Sequence, residues 1–250
     1  MWALAYLAAI VLAELLTLFS PPFGMAFDLV LMVALMFQAS LASEQDRPLL
    51  VALVLIPLVR IVSLSFPLAP SPVAYRYLLT SIPLVVAGIL VARNLGLSPG
   101  ELGLGLGRSL HQLLIGFLSL PLGAIAYLIV RPAAIRSPVS WPTAVVIAVV
   151  LVVTTGFVEE FIYRGVLQTA SRRVLGHWGL VYASTVSAAV YIGYRSVTVV
   201  AFMLAVSLGF AWLVARGGSL LGVSLAHGFA NVGLLLVLPL AAGQGGLSVT

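Results

Sequence analysis

Apolar stretches of about 20 residues recur along this entire sequence, and that is the length a helix needs to cross a bilayer. They run at roughly 1–19, 25–43, 48–68, 73–93, 109–130, 142–170, 178–194, 197–215 and 219–241. Inside hydrocarbon every backbone N–H and C=O must find its partner within the chain, so runs of this kind fold as helices. Only 8% of the residues are charged, against about 25% in ordinary soluble domains. The fold class expected is therefore all-α, a polytopic transmembrane helix bundle of about eight or nine spans. The stretch at 142–170 is long for one crossing and that at 178–194 is short. Residues 1–19 lack a basic leader and an A-x-A cleavage site before Pro21-Pro22, so they read as a retained first span rather than a signal peptide.

Turn chemistry separates the spans: Ser-Glu-Gln-Asp-Arg-Pro at 43–48, a proline-rich break at 67–72, Arg131-Pro132 and Gly217-Gly218. The glycine-rich stretch 94–108 is not a phosphate loop, because no G-K-[S/T] follows it; it reads as an interfacial connector. Three regions result: scaffold helices over 1–135, a polar-residue-bearing core over 136–241, and a short polar tail over 242–250. The net charge of +5 comes from twelve arginines and no lysine. With no basic run carrying interleaved aromatics, that excess speaks of topology and lipid headgroups, not nucleic acid. Arg47, Arg93, Arg108, Arg172, Arg173 and Arg216 gather on the side that also holds the N-terminus. That side is expected to be cytoplasmic, in a protein of a prokaryotic plasma membrane. No cysteine is present, which excludes disulfides and thiolate chemistry.

Charged side chains at bilayer depth are costly and usually have a use. Glu159, Glu160 and Arg164 lie inside the apolar stretch 142–170. Glu160 and Arg164 are four apart, hence neighbours on one helical face with acid before base. Glu159 points about 100° away from Glu160, so one carboxylate is free to face a cavity while the other pairs with the arginine. His227 and Asn231 repeat the i, i+4 spacing in the last span and share a face. An imidazole and a carboxamide so placed can hydrogen-bond a developing oxyanion, orient a water, or pair with each other. Glu14 reads as a buried, protonated structural acid. Arg60 reads as a partner for Glu14 or Asp28, or as a side chain snorkelling to the interface. His111 and His177 read as interfacial contacts, and Tyr75-Arg76-Tyr77 as an anchor belt.

Glu159-Glu160-x-x-x-Arg164-Gly165, followed about 60 residues later by His227-x-x-x-Asn231, resembles the CAAX prenyl protease and bacteriocin-processing family of intramembrane endopeptidases (CPBP, or Abi). The likeness covers roughly 140–235. It implies that Glu159 activates a water for attack on a peptide bond, that Glu160 and Arg164 form a supporting ion pair, and that His227 and Asn231 stabilise the oxyanion. It also implies membrane lipids and a protein or peptide substrate, prenylated or plain, as partners. One or two histidines with carboxylates give an incomplete zinc shell, so a divalent metal lacks a full ligand set.

The chain departs from that family in its middle motif, Phe-x-x-x-His, due about 30 residues after the Glu pair. Here the region reads Val190-Tyr191-Ile192-Gly193-Tyr194-Arg195. Tyr191 keeps the spacing to Glu159; the alternative alignment puts Arg195 in the histidine's place. Tyrosine, with a pKa near 10, is a poor base at neutral pH. Two rival readings follow. One is a catalytically lapsed family member acting as a membrane binding or regulatory protein. The other is a small transporter, against which stands the lack of an internal repeat.

Overall fold

The computed structural model of the chain describes residues 2–66, 73–130, 139–242 and 247–248. The proline-rich break at 67–72, Arg131, Arg136, the side chains of the Tyr75-Arg76 belt and most of the polar tail fall outside this description. Among the described residues nine helices follow one another: α1 (Trp2–Phe19), α2 (Pro21–Leu41), α3 (Arg47–Ser65), α4 (Val73–Asn94), α5 (Ser109–Val130), α6 (Trp141–Leu175), α7 (Trp178–Ala189), α8 (Val197–Gly217) and α9 (Leu221–Ala241). A two-residue parallel pairing of Val139-Ser140 with Leu247-Ser248 is the one strand contact among the described residues. The all-α bundle expected from the apolar periodicity is what the chain forms.

Eight of these helices are long and apolar enough to cross a membrane. The exception is α7. Its 12 residues rise about 18 Å, short of a hydrocarbon core about 30 Å thick. A tight 3-10 turn, Val190–Tyr194, continues it, and Arg195 ends the element in the left-handed region at φ 54°. The stretch 178–194, read from sequence as a span, is thus a short helix plus a turn. In contrast α6 has 35 residues and rises about 50 Å, more than one crossing needs.

Helix α6 is the hub, packing against α3, α4, α7 and α9. Its apolar faces are shut in by Val158, Ile162, Val166 and Leu167. Large side chains such as Phe19, Phe37, Leu118 and Leu128 point outward, where lipid rather than water is their solvent. The connector between α4 and α5 docks on the start of α9: Leu220 N–H donates to the Gly103 carbonyl (2.8 Å) and Ser219 Oγ to the Gly105 carbonyl (2.6 Å). That clamp fixes the depth at which α9 enters the bundle.

The charged residues of the scaffold are paired across helices. Arg60 of α3 holds Glu14 of α1 with Nε facing Oε1 and Nη2 donating to Oε2 at 2.8 Å. Glu14, 1% exposed, is the buried acid read from the sequence, and Arg60 is the partner that reading offered for it. A buried charge is tolerable when a partner neutralises it. Asp28 is buried close to the pair and interacts electrostatically with Arg60.

Candidate active site

The middle of α6 departs from α geometry on both sides of the glutamate pair. Val152–Val158 and Phe161–Leu167 are π-helical, while Glu159 and Glu160 between them keep α geometry. Thr154 and Thr155 donate their hydroxyls to the Val150 and Leu151 carbonyls, both at 2.7 Å. Such back-bonding competes with the i→i−4 ladder and favours a wider turn. π-helical turns are rare and often sit at functional positions. Between these two segments both carboxylates face the same neighbour on α9.

That neighbour comes close because the crossing is lined with glycine. A Cβ on Gly156 would meet the Ser224 carbonyl and, at 3.1 Å, the Gly228 nitrogen; one on Gly228 would lie 2.7 Å from Val152 Cα. Small residues let helix backbones approach in this way. The approach sets His227 between the two carboxylates. Its Nδ1 lies 2.8 Å from Glu160 Oε1, and its Nε2 lies 3.9 Å from Glu159 Oε2.

Glu160 is sealed, its side chain 2% exposed, and Arg164 Nε lies 3.5 Å from its other oxygen. Arg164 is itself held by α7 and α8: Nη1 donates to Ser187 Oγ (3.3 Å) and Nη2 to Ser207 Oγ (2.9 Å). Ser207 Oγ in turn donates to the Ser184 carbonyl (3.1 Å). The Glu159 side chain is 35% exposed and opens into a cavity of about 400 Å³. So the two glutamates divide as their spacing suggested, one in the wall and one at the opening, but both converge on His227.

All five residues singled out from the sequence (Glu159, Glu160, Arg164, His227 and Asn231) line this one cavity. Asn231 faces it without a hydrogen-bond partner among the described residues. The remaining wall is mostly apolar and phenolic, with Tyr163, Tyr191, Tyr194 and Phe210. Phe210 flanks the His227 ring at 6.3 Å between centroids. Of the two positions offered for the missing histidine, Tyr191 lines the cavity and stacks on Tyr194 (5.9 Å). Arg195 is exposed and donates to the Leu18 carbonyl at 2.6 Å instead. His111 and His177 are not among the lining residues.

Sequence reasoning missed the serines that hold Arg164 and the place of Arg60 on the cavity wall. A usable signal existed for the first: Ser184 and Ser187 stand i, i+3 on an otherwise apolar helix. For Ser207 and Arg60 no local pattern announces the contact, since both partners are remote in sequence.

The donors do not make a metal shell. Glu160 is committed to Arg164 and to His227 Nδ1, which leaves one carboxylate and one ring nitrogen facing the cavity; a catalytic zinc needs three protein ligands. No group of three His, Asp or Glu among the described residues is placed to hold an ion.

The fold and the site together define a polytopic helical membrane protein with a polar site lining a cavity at the crossing of two spans. Comparison with known families gives the class a name. Residues 141–233 match the Rce1-like family, described as type II CAAX prenyl endopeptidase Rce1-like. The resemblance read from the sequence thus holds, and over that segment the chain is similar to CAAX-protease-like membrane endopeptidases. No curated protein and no solved structure matches the chain.

Proposed function

We propose that this protein is an intramembrane endopeptidase that hydrolyses a peptide bond with a glutamate-activated water. The observation that carries the reading is the pairing of Glu159 Oε2 with His227 Nε2, 3.9 Å apart on the wall of one cavity. One water can touch both atoms at hydrogen-bond distance. Glu159 takes a proton from it as the oxygen attacks the scissile carbonyl. The Asn231 carboxamide and the His227 ring, four residues apart on α9, face the oxygen on which charge develops. Glu160 and Arg164 stay out of the reaction and hold the ring. A bundle of this kind is needed because hydrolysis requires water at a depth where lipid excludes it. The substrate is a membrane-associated protein or peptide, prenylated or plain.

Tyr191 favours a second reading. It occupies the wall where the related motif places a histidine, and a phenol does not replace an imidazole as a base. On that account the cavity binds a partner without cleaving it. Cleavage of a library of prenylated and plain peptides by the purified, reconstituted protein separates the two. Turnover that falls about 10²–10⁴-fold in Glu159→Ala establishes the peptidase; a silent wild type that still retains a peptide establishes the binder.

A further inference from the structure

Four side chains stand in a row of alternating character: Arg164, Glu160, His227, Glu159. The spacings are 3.5 Å, 2.8 Å and 3.9 Å. Glu160 lies against a guanidinium and is sealed from solvent. As a carboxylate it only accepts, so the hydrogen on His227 Nδ1 is the one it receives. That fixes the ring. Nδ1 keeps its proton, and Nε2 is the position that gains or loses one. Within this row two carboxylates face a single guanidinium, that of Arg164, so a proton on Nε2 is what completes the row's charge balance. The other charged or titratable groups lining the cavity are Arg60, committed to Glu14, and the phenols of Tyr77, Tyr163, Tyr191 and Tyr194.

We propose that Glu159 and His227 work as one base-and-acid couple, in which His227 Nε2 supplies the proton that the departing amine needs. The role rests on the peptidase reading and adds a second duty to His227. In the first step the water oxygen bonds to the carbonyl carbon, its proton passes to Glu159, and the π pair moves to the carbonyl oxygen. In the second step the C=O bond re-forms and the C–N bond breaks, its electron pair staying on nitrogen. Nitrogen takes the Nε2 proton as it leaves. Glu159 is then protonated and the ring neutral; a water entering between them carries the proton back to Nε2. Glu160 and Arg164 are positioning residues in this scheme, because they keep the Nδ1 proton in place. One histidine so held does the work of protonating the leaving group in a cavity whose other hydroxyls are phenols, far weaker acids than an imidazolium.

The test compares two leaving groups and reads the ring directly. The probes are a fluorogenic peptide library, whose amine must be protonated to leave, and p-nitrophenyl esters of the same acyl chains, whose phenolate leaves unaided. His227→Gln keeps an N–H donor for the oxyanion and removes the acid. It is expected to slow peptide cleavage about 10²-fold and to abolish the alkaline fall of the pH–rate profile, while ester cleavage slows less than about tenfold. Nitrogen-15 NMR of histidine-labelled wild type in nanodiscs is expected to show His227 doubly protonated near neutral pH and converting to the Nδ1–H tautomer on alkalinisation. Glu160→Gln is expected to release that tautomer preference. Equal losses on amide and ester overturn the acid role and leave the peptidase standing. A ring that is neutral with its proton on Nε2 at every pH overturns the role as well, even if the variant fails to fold. A wild type that cleaves neither probe overturns the peptidase reading and this role with it.

Discussion

His227 Nδ1 and Glu160 Oε1 meet at 2.8 Å across the crossing of α6 and α9, 67 residues apart in the chain. This contact ties the only imidazole on the cavity wall to the carboxylate that Arg164 already holds. It also separates two neighbouring glutamates by what they do. One is part of the fold's interior, and the other is exposed to whatever enters.

The separation predicts opposite phenotypes for adjacent residues. Glu160→Ala leaves Arg164 buried and without its carboxylate, which costs about 3–5 kcal/mol. Glu159→Ala removes a part-exposed side chain whose nearest charged contact is 3.9 Å away, and is expected to change stability by less than about 1 kcal/mol. Thermal unfolding in detergent reads the first difference and peptide cleavage the second. A Glu159→Ala protein that melts as early as Glu160→Ala would contradict the division.

Gly156 is the close point of the α6–α9 crossing. Gly156→Ala pushes a methyl group at the Ser224 carbonyl and is expected to destabilise the protein by about 1–3 kcal/mol. It should also lengthen the distance between α6 and α9. The chain has no cysteine, so spin labels at Val153 and Val237, both outward-facing, report that distance without background. Unchanged distance together with unchanged melting would show that the crossing tolerates the extra carbon.

How much of this could be read from the residues depends on the range of the signal. Spans follow from local apolar runs, so the bundle and nearly all of its helices were legible. The i, i+4 pairs Glu160/Arg164 and His227/Asn231 were legible for the same reason: helical spacing fixes which face they share. The 178–194 stretch is helical as read, but hydropathy does not report where it tightens into a 3-10 turn at Val190. The contact of His227 with Glu160 was hidden, since it depends on glycines that let two remote helices touch. Arg60 was legible as a partner for Glu14 or Asp28, but which of the two it holds depends on how helices 46 residues apart in the chain pack together.

That pair gives a double-mutant test. Arg60→Met leaves Glu14 buried and unpaired, and is expected to lower stability by about 3–5 kcal/mol. Adding Glu14→Gln should recover a large part of the loss, because the uncompensated charge is gone. The melting points of the two single variants and the double variant measure it. Strict additivity would mean that the ion pair contributes nothing to the fold.

Outside the spans, Glu101 links the α4–α5 connector to the end of α6. The Ser98 backbone N–H (2.9 Å) and hydroxyl (2.8 Å) donate to its carboxylate, and Arg173 pairs with the other oxygen. These contacts, the backbone one foremost, hold the Glu101 carboxyl down at about 2 instead of 4.5. A depressed carboxylate stabilises the fold above its unfolded pKa and loses that contribution as pH falls through the window from 4.5 to about 2. Glu101→Gln is therefore expected to lower the melting point at pH 6, by an amount worth less than about 1 kcal/mol at this exposed site. The gap between variant and wild type should close as the buffer approaches pH 2. A gap that stays constant with pH would remove the carboxylate from the account.

Tyr191 offers the most direct probe of what the cavity lacks. Its phenol lines the same cavity as Glu159 and His227, whereas Arg195 leans on the Leu18 carbonyl outside the cavity. Tyr191→His would place a second imidazole where a water between Glu159 and His227 can reach it. A general base with a pKa near 6.5 shares the proton load of Glu159 far better than a phenol. The expected outcome is peptide cleavage raised about tenfold or more over wild type, with Tyr191→Phe close to wild type and Arg195→His without effect. If Arg195→His raised the rate instead, the histidine's place would be at the end of the 3-10 turn, and the cavity wall assigned to Tyr191 would be the wrong one.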